Sequence, residues 1–168
     1  LVPYYLVRIV GLEAGLGGLV LALSAGGTVI GAWLASRLAR SAKPGLIALA
    51  GIVLNVCGLG AISLWGQDTG FAAIAATLSA QGFGIGLFQV AYADRVTATL
   101  PQKDRGVAGS LTMVTRTIGV VSSATGLSAA FRAFEASALS AGSGAPEAFL
   151  MGFQLTFLWV AVGLAVFL

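Results

Sequence analysis

The residues best placed to bind a ligand in this sequence are polar side chains inside long apolar runs, and Arg116 is the clearest of them. If the apolar run that contains Arg116 crosses a bilayer, a charge inside that run costs at least ~2.5 kcal/mol. Such a charge needs a polar partner, water or a cavity. Helical periodicity places Gly109, Thr112, Gly119 and Ser123 on the same small, polar face. We expect this face to line a cavity or a close helix contact. Arg116 would act there as a structural donor to carbonyl groups of a neighbouring helix, as a gating or cavity residue, or directly in substrate or proton coupling.

Further polar residues lie in the two runs before Arg116. Gln81, Gln89 and Tyr92 share one run, and Asn55 lies in the run before it. Gln81 and Tyr92 are nearly eclipsed on a helix, because they are eleven residues apart. These side chains can present hydrogen-bonding groups to a substrate, or can join neighbouring helices at ~0.6–2 kcal/mol per bond. The predicted cavity set is Arg116, Gln81, Gln89, Tyr92 and Asn55.

Residue types that enzymes need are missing or badly spaced. The sequence has no histidine, which excludes the His-dependent intramembrane serine and zinc proteases. Asp68 and Asp94 lie at opposite ends of one apolar run, so they cannot form an aspartyl protease pair. Residues 82–86 read GFGIG, which lacks the spacing of a dinucleotide-binding loop. We therefore predict that the chain is not an enzyme and carries no cofactor or metal.

The elements that must position these residues are transmembrane helices. Hydrophobic residues make up 58% of the chain and charged residues only 9%, whereas soluble domains carry about 25% charged residues. Apolar runs of about 20 residues, enough to cross a bilayer, occur at 14–36, 45–66, 71–93, 106–131 and 147–168. We predict an all-α, polytopic transmembrane helix bundle with five full spans, in which residues 1–10 end a truncated first one. Because both ends lie within or beside apolar runs, we expect the chain to be a piece of a longer protein.

The distribution of basic residues predicts which loops face the cytoplasm. Loops 37–43 and 94–105 must lie on one side and together hold six Lys and Arg residues, while the opposite side has Arg8 and Arg132. The positive-inside rule therefore makes loops 37–43 and 94–105 cytoplasmic in a multi-pass protein of the cell membrane. Since the basic residues lie in gaps between apolar runs, they indicate orientation in the bilayer and not binding to nucleic acid.

The same loops suggest a gate at the cytoplasmic end. Asp94-Arg95 and Lys103-Asp104-Arg105 alternate in sign, so they can form ion pairs that hold one conformation. A solvated loop that only sets orientation is the alternative. The predicted gate set is Arg37, Arg40, Asp94, Arg95, Asp104 and Arg105.

Glycines four residues apart predict where helices approach closely. Gly27 and Gly31 lie in the first full run, and Gly82 and Gly86 lie in the third. Small residues at this spacing let two backbones touch, so that dispersion contacts accumulate. We expect a tightly packed bundle in which these glycines lie at helix contacts.

Several stretches resemble, in order, the C-terminal half of the major facilitator superfamily, and most closely its 14-span drug:proton antiporter branch. They are LVPYYL (1–6), AGL (14–16), GAWLASRLAR (31–40), GFGIGLF (82–88), DRGVAGSL (104–111) and TRTIG (115–119). In one respect the chain departs from the family pattern, because Arg40 stands near the place of the usual acidic residue in the loop at 36–44. That departure weakens the expectation of the usual charge latch in this loop.

The resemblance implies secondary active transport by alternating access, in which two six-helix halves rock about a central site. The partners implied are a small hydrophobic or cationic substrate, protons, the lipid bilayer and the N-terminal half of the same polypeptide. Proton-coupled efflux of drugs is then the expected function. A metabolite or sugar permease of the same superfamily and a non-transporting membrane scaffold subunit are the alternatives.

Overall fold

The computed structural model describes residues 1–11, 14–98, 101 and 105–166, and within these ranges every regular element is an α-helix. The helices are α1 (Val2–Arg8), α2 (Ala14–Leu38), α3 (Pro44–Ser63), α4 (Phe71–Ala98), α5 (Arg105–Ser140) and α6 (Ala145–Val166). Each predicted run thus contains an α-helix, and an all-helical bundle is confirmed for the described residues. Helix α3 begins at a proline, whose fixed φ suits the first helical turn.

Four of the described helices are long and apolar enough to cross a membrane, which indicates a membrane protein. They occupy Gly15–Leu38, Pro44–Ser63, Phe71–Val96 and Ala145–Val166. The sequence predicted five full spans, and the structure supports four, because α5 is a helix that falls short in apolar content. Residues such as Thr112, Thr115, Arg116, Ser122 and Ser123 dilute its hydrophobicity.

The membrane-facing character of these helices is visible in their exposed side chains. Only 22–33% of the most apolar window of each is buried inside the bundle. Large apolar side chains such as Val29, Leu46 and Trp159 are exposed. In water an apolar surface this large would favour association or aggregation, whereas in a bilayer it is solvated by lipid.

Helix α4 lies between α2 and α3 and forms the centre of the bundle. It runs parallel to α2, since Gly27 lies beside Ser79 and Phe83 while Thr28 lies beside Gly86. It runs antiparallel to α3, since Gly45 lies beside Arg95 at one end and Gly58 lies beside Gln81 further along. Residues 38–44, the end of α4 and the start of α5 therefore share one end of the bundle, called here the inner end.

Glycines make the contact between α2 and α4 unusually close. A Cβ added at Gly82 would collide with the carbonyl oxygen of Ser24, and one at Gly86 would collide with that of Thr28. From the other helix, a Cβ at Gly31 would collide with the carbonyl oxygen of Phe83. Because the obstructing atoms belong to the backbone, a side chain here would force the helices apart.

An aromatic cluster ties the outer end of the bundle together. The ring of Tyr5 lies 5.3 Å from that of Trp65 and 4.9 Å from that of Phe153, centroid to centroid. The Tyr5 hydroxyl donates a hydrogen bond of 2.6 Å to the carbonyl oxygen of Gly66. The amide Nε2 of Gln154 donates one of 2.7 Å to the carbonyl oxygen of Trp65. These bonds join α1 and α6 to the turn that follows α3.

Helix α5 is the element least covered by its neighbours. It forms an antiparallel hairpin with α6, in which Phe131 packs edge-on against Phe149 at 5.2 Å. The gap between the predicted runs 106–131 and 147–168 indicated a loop, but the helix continues to Ser140 and the turn is confined to 141–144. Buried Ala138 anchors this added length. In contrast, side chains from Met113 to Gly126 are exposed on every face of the helix.

Candidate functional site

A cavity of about 510 Å³ lies between the inner half of α4 and the inner half of α5. Three of the predicted cavity residues, Gln89, Tyr92 and Arg116, line it together. They come from α4 and α5, two helices that make few contacts with each other. The remaining lining residues are Phe88, Val90, Ala93, Thr112 and Thr115.

The α4 wall combines an aromatic surface with an amide. Phe88 and Tyr92 are one helical turn apart, and their rings stack at 5.7 Å with an interplanar angle of 21°. Tyr92 is 44% exposed, so its ring is available on the cavity side. Gln89, half-buried beside them, adds both a donor and an acceptor. This wall can therefore stack on a flat apolar group while hydrogen-bonding its edge.

The α5 wall is polar and positively charged. Thr112 and Arg116 are four residues apart, so they lie on one face, and Thr115 borders that face. Among the described residues that line the cavity, Arg116 alone carries a charge. The guanidinium offers several donors in a rigid fork that suits carboxylate and phosphate groups. A ligand with an oxygen-rich or anionic group beside an aromatic or apolar body would match both walls.

The other two predicted cavity residues lie elsewhere, between α3 and α4. Asn55 donates a hydrogen bond of 2.8 Å from Nδ2 to the carbonyl oxygen of Gly51, within its own helix. That amide also lies close to Gly84, where an added Cβ would be 3.0 Å from Nδ2. Gln81 packs on Gly58, whose added Cβ would lie 3.1 Å from the Gln81 Cβ. Both side chains therefore serve the packing of two helices in this conformation.

The predicted gate residues within the described part of the chain gather at the inner end. Arg37 ends α2 and lies over the ring of Trp33, with its guanidinium carbon 4.4 Å from the centroid. Arg40 is exposed in the turn after α2, and Asp94 and Arg95 are exposed in the last turns of α4. Arg105 is the first residue of α5, and Asp104 lies outside the described residues.

Sequence reasoning did not identify Phe88 and Thr115 as cavity residues. The signal that could have found Phe88 is its spacing of four from Tyr92, because aromatic residues at that spacing meet on one helical face. Thr115 has no such signal, since its position on the cavity wall depends on how α5 is rotated toward α4.

No protein-family model matches the chain, and no curated protein matches its sequence.

Proposed function

We propose that this chain is the C-terminal six-helix half of a secondary transporter of the major facilitator superfamily, closest to the drug:proton antiporter branch. In this proposal α2, α3, α4 and α6 cross the cell membrane, α5 crosses as a polar fifth span, and α1 ends a sixth. Loops 37–43 and 94–105 face the cytoplasm. The protein moves a small molecule by alternating access, with protons as the coupling ion.

The observation that carries the proposal is the cavity between α4 and α5. Polar side chains from two facing helices, Gln89, Tyr92 and Arg116, converge on an open cavity of about 510 Å³ beside the apolar helix α4. A scaffold subunit has no need for a charged residue at this depth, because the cost of burying it in hydrocarbon is high. A transport path needs such residues to replace water around a polar substrate.

The uneven packing of the bundle also supports transport. Helices α2 and α4 are locked by glycine contacts, whereas the middle of α5 is exposed and the helix is held mainly at its outer end by α6. A partner half of the transporter would cover the exposed faces of α5. Alternating access requires one surface that stays fixed and another that changes neighbours. The packed pair of α2 and α4 suits the fixed surface, and α5 suits the surface that changes neighbours.

The charge of the cavity favours a second candidate within the same superfamily. Arg116 would repel a cationic drug, and no acidic residue occurs among the described residues that line the cavity. A permease or exporter for an anionic metabolite is therefore the alternative. In the drug antiporter, acidic residues of the other half would have to neutralise Arg116.

The test is transport by cells that express the full-length protein. Efflux of a fluorescent cationic dye that is abolished by a protonophore supports the drug antiporter. If the dye is retained as in cells without the protein, despite normal expression, the drug antiporter is excluded. Uptake or efflux of radiolabelled carboxylates and phosphates then tests the anionic metabolite.

Arg116 variants separate a transport residue from a structural one. Arg116→Ala should abolish transport of whichever substrate is found, while the amount of protein in the membrane stays normal. Arg132→Ala is the matched control, because it removes an exposed arginine from the same helix outside the cavity. If Arg116→Ala instead lowers the amount of protein as steeply as transport, Arg116 is structural and the proposed site fails.

A further inference from the structure

The aromatic wall of the cavity between α4 and α5 is supported from behind by α3. A Cβ added at Gly51 of α3 would lie 2.7 Å from the backbone nitrogen of Phe88 and 3.0 Å from its Cβ. Gly51 is buried, and Phe88 is half-buried. Because Gly51 has no side chain, the backbone of Phe88 packs directly on α3. One end of the aromatic wall is therefore fixed before any ligand binds.

Phe88 in turn supports the ring of Tyr92. The two rings stack with their centroids 5.7 Å apart and 21° between their planes, which is within the range of favourable aromatic pairs. Phe88 covers one side of the Tyr92 ring, yet Tyr92 is still 44% exposed and lines the cavity. A ligand with a flat ring can therefore extend an aromatic pair that already exists. Such a preformed surface lowers the entropy that binding loses.

The facing wall and the amide beside the rings set the polarity of the ligand. Arg116 is exposed and lines the same cavity from α5. Its planar guanidinium matches a carboxylate, which can accept two parallel hydrogen bonds. The half-buried Gln89 offers a further donor and acceptor to a second polar substituent.

The two walls together distinguish three kinds of small molecule. A flat cation would gain from the aromatic surface, but Arg116 repels it. An aliphatic acid would pair with Arg116, but it gains nothing from ring stacking. An aromatic acid uses both walls. The cavity of about 510 Å³ lies within the range of about 300–1,000 Å³ that small-molecule sites occupy.

We propose that the cavity between α4 and α5 binds an aromatic carboxylate, with its ring on Tyr92 and its carboxylate on Arg116. This inference rests on the proposed transport function and names the substrate class, since it selects an aromatic anion over a cationic drug. Tyr92 is then the residue that determines specificity for an aromatic body, and Arg116 determines specificity for the negative charge.

The test is binding of 2-naphthoate to the purified full-length protein in lipid nanodiscs, measured by isothermal titration calorimetry. Decahydro-2-naphthoate is the comparison ligand, because it keeps the carboxylate and the fused-ring skeleton but has no aromatic face. We expect 2-naphthoate to bind about two- to tenfold more tightly than the saturated acid. The cation 2-naphthylmethylammonium should bind more weakly than either acid. Equal affinity for the two acids, or tighter binding of the cation, would overturn the proposal.

Variants assign the two preferences to their residues. Tyr92→Leu should abolish the preference for 2-naphthoate over the saturated acid, whereas Tyr92→Phe should keep it, because the ring and not the hydroxyl is required. Arg116→Gln should weaken both acids by at least about tenfold while leaving their ratio unchanged. The matched control is Tyr4→Leu, which removes an exposed tyrosine of α1 outside this cavity and should change neither affinity.

Contrary results in these variants are unambiguous, because each result is a ratio of two affinities in one protein sample. Loss of folded protein lowers the amount of binding of both acids and does not change that ratio. A preference for 2-naphthoate that survives Tyr92→Leu would show that the ring binds elsewhere. Affinities unchanged in Arg116→Gln would show that the carboxylate binds elsewhere. Either result overturns the proposal.

Binding and transport measured side by side separate this inference from the proposed function on which it rests. Protonophore-sensitive efflux of a cationic dye without binding of 2-naphthoate would uphold transport and overturn the aromatic acid site. Binding of 2-naphthoate with the expected preferences, but without movement of radiolabelled 2-naphthoate into proteoliposomes under a proton gradient of either direction, would uphold the site and contradict its transport.

Discussion

The crossing of α2 and α4 predicts opposite effects of alanine at two neighbouring glycines. Gly27 is buried, and an added Cβ would collide with the carbonyl oxygen of Ser79 and lie 3.1 Å from the backbone nitrogen of Phe83. Gly26 is exposed, and an added Cβ there would meet nothing within 4 Å. The two substitutions therefore differ only in whether the new methyl group faces α4.

The expected magnitude follows from these contacts. Because the obstructing atoms at Gly27 belong to the backbone, α2 and α4 must separate, and overpacking of this kind costs about 1–3 kcal/mol. Gly26→Ala introduces no clash and gains up to about 1 kcal/mol from the higher helix propensity of alanine. The free energy of unfolding of the two variants should thus differ by about 1–4 kcal/mol.

The assay is reversible unfolding of the purified protein in mixed micelles, titrated with sodium dodecyl sulfate and followed by circular dichroism. Gly27→Ala should unfold at a lower detergent fraction than the unmodified protein, and Gly26→Ala at the same or a higher one. Gly82→Ala, on the other side of the crossing, should behave as Gly27→Ala does. If Gly26→Ala and Gly27→Ala unfold together, the backbone contact between α2 and α4 does not exist and the packing described here is refuted.

Two further predictions concern the outer cluster and the membrane. Tyr5→Phe and Gln154→Leu each remove one hydrogen bond, to the carbonyl oxygens of Gly66 and Trp65. Each should lower the free energy of unfolding by about 0.6–2 kcal/mol in the same micelle titration, and an unchanged midpoint would show that the bond contributes nothing. Cys57 is exposed on an apolar helix, so in lipid vesicles a charged thiol reagent should label it far more slowly than after solubilisation in a denaturing detergent. Equal labelling rates would show that this face of α3 contacts water.

The helices could be predicted from the sequence because a bilayer imposes a simple length rule. Apolar runs at 14–36, 45–66 and 71–93 correspond to helices Ala14–Leu38, Pro44–Ser63 and Phe71–Ala98. The ends deviate where a helix leaves the apolar region, as at the last turn of α4 and the last turns of α5. There the length of the helix is set by local propensity and by packing on α6, which hydropathy does not report.

The candidate site was harder to predict, because it depends on which helices are neighbours. Gln81 and Tyr92 share a face by helical geometry, yet Gln81 meets α3 at Gly58 while Tyr92 faces the cavity beside α5. The two residues are about 16 Å apart along the axis, and the neighbour of that face changes over this distance. Helical periodicity gives the direction of a side chain, but it does not show which neighbouring helix or cavity lies on that side.

In the proposed topology, where α5 is a fifth span, its polar character bears on how the chain enters the membrane during synthesis. Val, Ile and Leu at the centre of a span each favour insertion by about 0.3–0.6 kcal/mol, whereas an arginine opposes it by about 2.5–3.5 kcal/mol. Arg116 alone therefore cancels the contribution of several apolar residues of α5. A helix with this balance partitions poorly from the translocon by itself.

The short turn between α5 and α6 offers a solution to that difficulty. Only residues 141–144 separate the two helices, and Phe131 of α5 packs on Phe149 of α6. In the proposed topology the strongly apolar α6 can thus draw α5 into the lipid, so that both enter as one helical hairpin. In that topology α5, which carries one wall of the cavity, is inserted only after α6 has left the ribosome.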